Sequence, residues 1–194
     1  MTIVARPQSF RPQLVLRALA CAIATLVLLS GCLLSDTSVV SVEFATTPLL
    51  PGLYVGWDRP TAPAEKLRND HDVRLDGTAY SFREEPPKQP NGRYLTGYMV
   101  RIAETSNVYL LQIPPEQFQI SAASNSRWIL IIGVVVDRAF CLRTLENIPS
   151  DIADTTLGNV RPHIRSNTHF LQWLRDHVDE ISAMKNTACL VRSG

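Results

Sequence analysis

Most of the signatures that announce a reaction are missing from this chain. It has no His-Glu-x-x-His, no Cys-x-x-Cys, no Gly-x-Ser-x-Gly and no glycine-rich phosphate loop. The usual spacings for zinc-dependent hydrolysis, dithiol redox exchange, nucleophile-elbow chemistry and nucleotide binding are therefore absent. Charge of neither sign is in excess, with 19 Lys and Arg against 18 Asp and Glu. That balance offers no field for nucleic acid and no polybasic stretch for anionic lipid. No apolar run reaches a comfortable membrane-spanning length.

Acidic residues are also missing before Asp36, and this local absence is informative. Arg6, Arg11 and Arg17 supply positive charge, and Ala18 to Leu29 then runs uncharged. A basic start followed by a short apolar run is the pattern of a secretory leader. The run ends in Leu29-Ser30-Gly31-Cys32, an aliphatic residue, two small ones and a cysteine. These residues resemble the lipobox of bacterial lipoprotein signal peptides. The resemblance implies that residues 1–31 are removed and that Cys32 is acylated as the new N-terminus. It further implies a membrane partner reached through that lipid. Leu33 stands where an Asp would retain such proteins at the inner membrane, so the pattern implies the outer membrane, facing the periplasm. Two other readings stay open: a plain membrane anchor extended to Leu34, and a secreted protein cut by the general peptidase. Beyond the box the chain resembles many short envelope lipoproteins, with no motif that selects one family.

Removing the leader leaves 16 basic and 18 acidic residues, a net charge of −2. The division we expect is a leader over 1–31, a lipidated N-terminus and tether over 32–50, and a single β-rich domain over 51–194. Cys141 and Cys189 are then an even pair in an oxidising compartment, which favours a disulfide over two buried thiols.

Thirteen prolines among short β-prone runs argue against a helical bundle. Strands are expected at 39–44, 53–57, 93–103, 108–113 and 139–145. Asp76-Gly77 between 72–75 and 78–82 reads as a hairpin turn. The run Arg127 to Val136 is the most apolar of the remainder and reads as a strand covered on both faces. Phe170, Leu171, Leu174, Val178, Ile181 and Met184 recur at helical spacing, predicting one amphipathic helix over 168–185 capped by Asn167 or Thr168. The expected fold is α+β: a mostly antiparallel sheet with one C-terminal helix packed on it.

Candidate chemistry is thin. His71, His163, His169 and His177 share no ligand spacing. Asp70-His71-Asp72 could hold a cation loosely but reads as a polar turn. Glu84-Glu85 adjoins prolines and reads as an exposed loop. Trp57, Trp128 and Trp173 line either a ligand pocket or ordinary packing. No catalytic residue, metal site or cofactor is assigned, and no nucleic-acid partner. The ranking is a non-catalytic envelope protein with structural or protein-interaction duties, then a small-ligand or lipid-binding module, then a tethered hydrolase.

Overall fold

The computed structural model describes residues 32–57, 69–85, 94–117, 127–137, 139–145, 147–154, 162–185 and 188–193. The leader therefore lies outside the described residues. Eleven strands and two short helices are described. In chain order they are β1 (Cys32–Ser35), β2 (Gly52–Trp57), β3 (Asn69–Asp76), β4 (Ala79–Glu85), β5 (Leu95–Arg101) and β6 (Val108–Ile113). There follow β7 (Trp128–Val136), β8 (Ala139–Arg143), β9 (Ala153–Asp154), β10 (His163–Ile164), α1 (Asn167–Asp176), α2 (Val178–Ala183) and β11 (Cys189–Arg192).

The expected α+β fold, an antiparallel sheet with one C-terminal helix packed on it, is overturned. Strands β2 to β8 and β11 join in the order β6-β5-β4-β3-β2-β11-β8-β7, and β6 also pairs β7, which closes an eight-stranded antiparallel barrel. The closing piece is β11, which pairs β2 on one side and β8 on the other. Its four residues are too few to show a period in the sequence, and without them the sheet reads as open. Strands β1, β10 and β9 continue outward from β7, with β1 and β10 parallel. The molecule is predominantly β.

Alternation along each strand divides the apolar residues into an interior and an outer layer. Tyr54, Val73, Tyr80, Met99, Tyr109, Leu111 and Phe140 belong to the interior cluster. Val108, Leu110, Leu130, Ile132 and Val134 belong to a second cluster with Phe170, Leu174 and Ile181 of the helices. Strand β7 feeds both, since Ile129 and Ile131 point inward while Leu130, Ile132 and Val134 meet the helices. That is the doubly covered strand its unbroken apolar run predicts.

The predicted helix is real but divided at His177, whose backbone departs from helical geometry (φ −110°, ψ 17°). Its ring Nδ1 lies 2.8 Å from the Trp173 carbonyl oxygen, within the turn where the helix breaks. The cap is Ser166, whose hydroxyl accepts from the His169 N–H, not Asn167 or Thr168. Asn167 instead takes Ser35 Oγ at its carbonyl and donates to Thr37 Oγ1 at 2.8 Å, binding the helix start to the chain after β1.

Two buried polar side chains pin the outer layer. Gln112 is fully buried on β6, and its Oε1 accepts the Val39 and Val40 N–H groups at 2.8 and 3.0 Å. Its Nε2 returns a bond to Val40 O at 2.9 Å, so one amide mimics a strand partner. The expected strand at 39–44 is consequently a strap crossing the barrel wall, with a single 3-10 turn at Val42–Phe44. Arg143, buried on β8, donates from Nε to Ile181 O and from Nη2 to Ser182 O. It thereby occupies the carbonyls at the end of α2, and burial depresses its pKa.

Candidate functional site

The barrel has two unlike ends. One is the end where β2 and β4 begin and β3 and β5 finish; the strap enters it and closes it. Thr46 pairs with Met99, its N–H donating to Met99 O at 2.7 Å. Leu49 then enters the barrel, where its N–H donates to the Tyr80 hydroxyl at 2.9 Å and that hydroxyl donates to Leu49 O at 2.8 Å. Tyr54 likewise donates to Leu50 O at 2.7 Å. Both rings are fully buried, and Phe140 lies against Gly133 so closely that any Cβ there would collide with its ring. These aromatics fill the closed half of an eight-stranded barrel, whose interior has little width to spare.

Burial pushes the Tyr80 hydroxyl up to about 12 from its ordinary value of 10.0. A folded pKa above the unfolded one means the neutral hydroxyl stabilises the fold fully below pH 10. That contribution is lost as pH rises through about 12. Alkaline titration should thus remove about 2–3 kcal/mol between these limits. Tyr80→Phe should be less stable at neutral pH and lose less on titration. Denaturation midpoints of the two proteins at pH 8 and pH 11.5 (about half a unit below the folded value) check this; parallel curves would count against it.

At the other end, the mouth, the inward-facing side chains are different. Leu34, Phe82, Ile131, Leu142 and Leu190 belong to the interior cluster and are only partly buried, as are Leu75 and Val135 toward the closed end. His71 and Glu84 pair across β3 and β4 on the same inward parity as Val73 and Phe82, beside Tyr54 on β2. The mouth therefore combines an apolar wall with an imidazole and a carboxylate on the same inward parity.

Of the predicted site residues, Cys141 and Cys189 are joined as expected. They sit directly opposite each other on β8 and β11, with Cα atoms 4.0 Å apart and a disulfide between them. Cys32 is buried as the first residue of β1, opposite Ile131, so its side chain faces the interior. Asp70-His71-Asp72 is strand and not turn, and alternation sends His71 inward and both aspartates outward. The three cannot converge on one ion, and no set of three metal-ligating residues is found among the described residues. The carboxylate of Asp72 instead accepts from Tyr94 at 2.6 Å and Arg74 at 2.9 Å, and these bonds, Tyr94's first, hold its pKa below the usual value. Glu84 and Glu85 end β4; they are not in a loop.

The remaining candidates are dispersed. His163 on β10 faces Asp36 at 3.1 Å, His169 is exposed on α1, and His177 stacks on Trp173 with centroids 4.8 Å apart. Trp173 also stacks on Phe170, and Trp128 packs against the helix-side cluster. Ser166 is occupied as the helix cap. Sequence reasoning missed Gln112, Arg143 and the Tyr54–Tyr80 plug. The first two carried a signal, a polar residue inside or ending an apolar strand, whereas buried hydroxyls leave none.

No helix among the described residues is long and apolar enough to cross a membrane. The barrel interior is apolar; outside, Asp72, Arg74, Ser81 and Arg83 line β3 and β4, whereas Val108, Leu110, Leu130, Ile132 and Val134 face the helices. No protein-family model, curated protein or solved structure matches the chain.

Proposed function

We propose that the chain is an exported bacterial protein, held to the outer envelope membrane through lipid on Cys32, whose barrel binds a small apolar or amphipathic molecule. The observation that carries the binding reading is the half-buried state of Leu34, Phe82, Ile131, Leu142 and Leu190, which point into the barrel from its mouth end. Leu75 and Val135 are half-buried toward the closed end too, so the reading leans on five such side chains at the mouth together with the inward parity of His71 and Glu84. On this support we rank ligand binding ahead of a purely structural role.

The anchoring reading rests on Leu29-Ser30-Gly31-Cys32 after an uncharged run. Acylation requires Cys32 to turn out of the wall, which gives up one cross-strand position opposite Ile131 and leaves Leu33, Leu34 and Ser35 paired. The modification that the lipobox implies carries several acyl chains on one cysteine, and more than one chain is what stable attachment to a bilayer needs.

Titration with a fluorescent fatty acid tests the binding reading. The unaltered protein should bind it saturably, and Leu142→Trp, which fills the mouth, should abolish binding with the melting temperature held. Equal binding by both proteins, or none by either, would sink it. Mass spectrometry of the mature N-terminus tests the anchor. Acylated Cys32 is expected, and an unmodified one would refute that half alone.

A further inference from the structure

We infer that the Cys141–Cys189 bridge is a redox-controlled clasp on the barrel: reduced by a dithiol, it lets β11 part from β8 and opens the wall beside the mouth. As the gate of a ligand site, this clasp rests on the binding reading above. Among the described residues, β8 and β11 meet through three residue pairs, fewer than any other two neighbours around the barrel. Theirs is also the seam that carries a covalent link. The link lies at the mouth-side end of β11, whose first residue, Cys189, also faces Trp57, the last of β2. Leu142 and Leu190, next to the two cysteines, point inward among the mouth side chains, so the inner face of this seam is part of the mouth itself.

Register makes the bridge labile. The Leu142 N–H donates to Ala188 O at 2.7 Å, so the adjoining Cys141–Cys189 pair is a non-hydrogen-bonded one. Residues so placed stand about 4.5 Å apart at Cα, inside the roughly 5.5–6 Å that a relaxed bridge prefers. A bridge held off that span is of the more reducible, labile kind. Arg143 shares the outer face with Cys141 and donates from Nη1 to the Cys141 carbonyl at 3.4 Å. A guanidinium this near the bridged residue favours the thiolate that leaves. The cysteines are 6% and 8% exposed, so attack follows fraying at the start of β11. A thiolate of the dithiol bonds one sulfur, and the other leaves as a thiolate that takes up a proton. The second thiol of the reductant then displaces the first sulfur. The cysteine pair thus gains two electrons and two protons, and the dithiol becomes a disulfide. Strand β8 stays in place, because it keeps five pairs with β7 and because Arg143 holds the Ile181 and Ser182 carbonyls. The β8–β11 seam is then the one free to open.

The test treats the unaltered, oxidised protein with dithiothreitol in the absence of denaturant. Alkylation and peptide mass should find Cys141 and Cys189 reduced. Residue-resolved hydrogen exchange should find the Phe140, Leu142 and Leu190 amides deprotected, since these face across the seam. Leu110 and Leu130, at 0% exposure on β6 and β7, should stay protected. A fluorescent fatty acid bound by the oxidised protein should be released on reduction and bound again after reoxidation. The double variant Cys141→Ser, Cys189→Ser should exchange like the reduced protein and ignore dithiothreitol. A bridge that stays oxidised until denaturant is added overturns the inference, as does reduction that leaves the three amides protected. Loss of protection throughout the barrel overturns it too, since the bridge is then a staple of the whole fold. Fatty acid retained by reduced protein with its seam open overturns the gate. Oxidised protein that binds no fatty acid sinks the binding reading and the gate with it, while the exchange measurement still decides the clasp.

Discussion

Leu174→Ala is expected to destabilise the protein by about 2–5 kcal/mol, the usual cost of truncating a fully buried leucine. Leu174 is 0% exposed and joins Phe170 and Ile181 in the layer over Leu130, Ile132 and Val134. The surrounding side chains come from a closed barrel wall whose backbone is fixed by ladders on both sides, so the site cannot collapse around the void. The upper half of the range is therefore expected. Urea denaturation checks it, with Leu171→Ala, which is only partly buried, as a smaller companion. An unchanged slope with a shifted midpoint would show that helices and barrel unfold together. A loss below about 1 kcal/mol would mean that the helices are not part of the cooperative core.

Long strands and the helical face were legible in the sequence because each rests on a period. β7 declares itself by nine consecutive apolar or glycine residues, and α1 with α2 by the recurrence from Phe170 to Met184. The hairpin is legible for a local reason, since Gly77 takes a positive φ of 58° that glycine adopts at no steric cost, but its turn is Gly77-Thr78 and not Asp76-Gly77, because Asp76 still pairs with Ala79. The β7–β8 turn carried a weaker signal, and there Asp137 itself takes the left-handed conformation at φ 51°. Closure was not legible, because it resides in contacts distant in sequence. β11 pairs with β2, and β1 with β7, and strands of four residues show no alternation that a loop could not show. The site inherits that difficulty. His71 and Glu84 look like parts of two polar turns until β3 and β4 are paired, and only then do they share an inward face.

Loss of the Cys141–Cys189 bridge is expected to cost roughly 4 kcal/mol at most, the chain-entropy value for so long a loop. The bridged residues are separated by 48 positions, and that stretch contains β9, β10 and both helices. In the unfolded chain the bridge therefore restrains a large segment, while in the folded one it joins residues already facing each other across the β8–β11 seam. That seam is the last to gain support, because β11 is four residues long and only Val191 and Leu190 stand beside Cys189 in its pairing with β8. Without the covalent link, opening β11 exposes the edges of β2 and β8 together and unrolls the barrel. In the oxidised protein both thiols should resist alkylation even in denaturant until a reductant is added. Cys141→Ala, Cys189→Ala and the double variant should then lose similar stability, since each removes the same single bond. Ready labelling without reductant would deny the bridge. A double variant as stable as the oxidised protein would show that hydrogen bonding and the interior packing of Leu190 hold the seam by themselves.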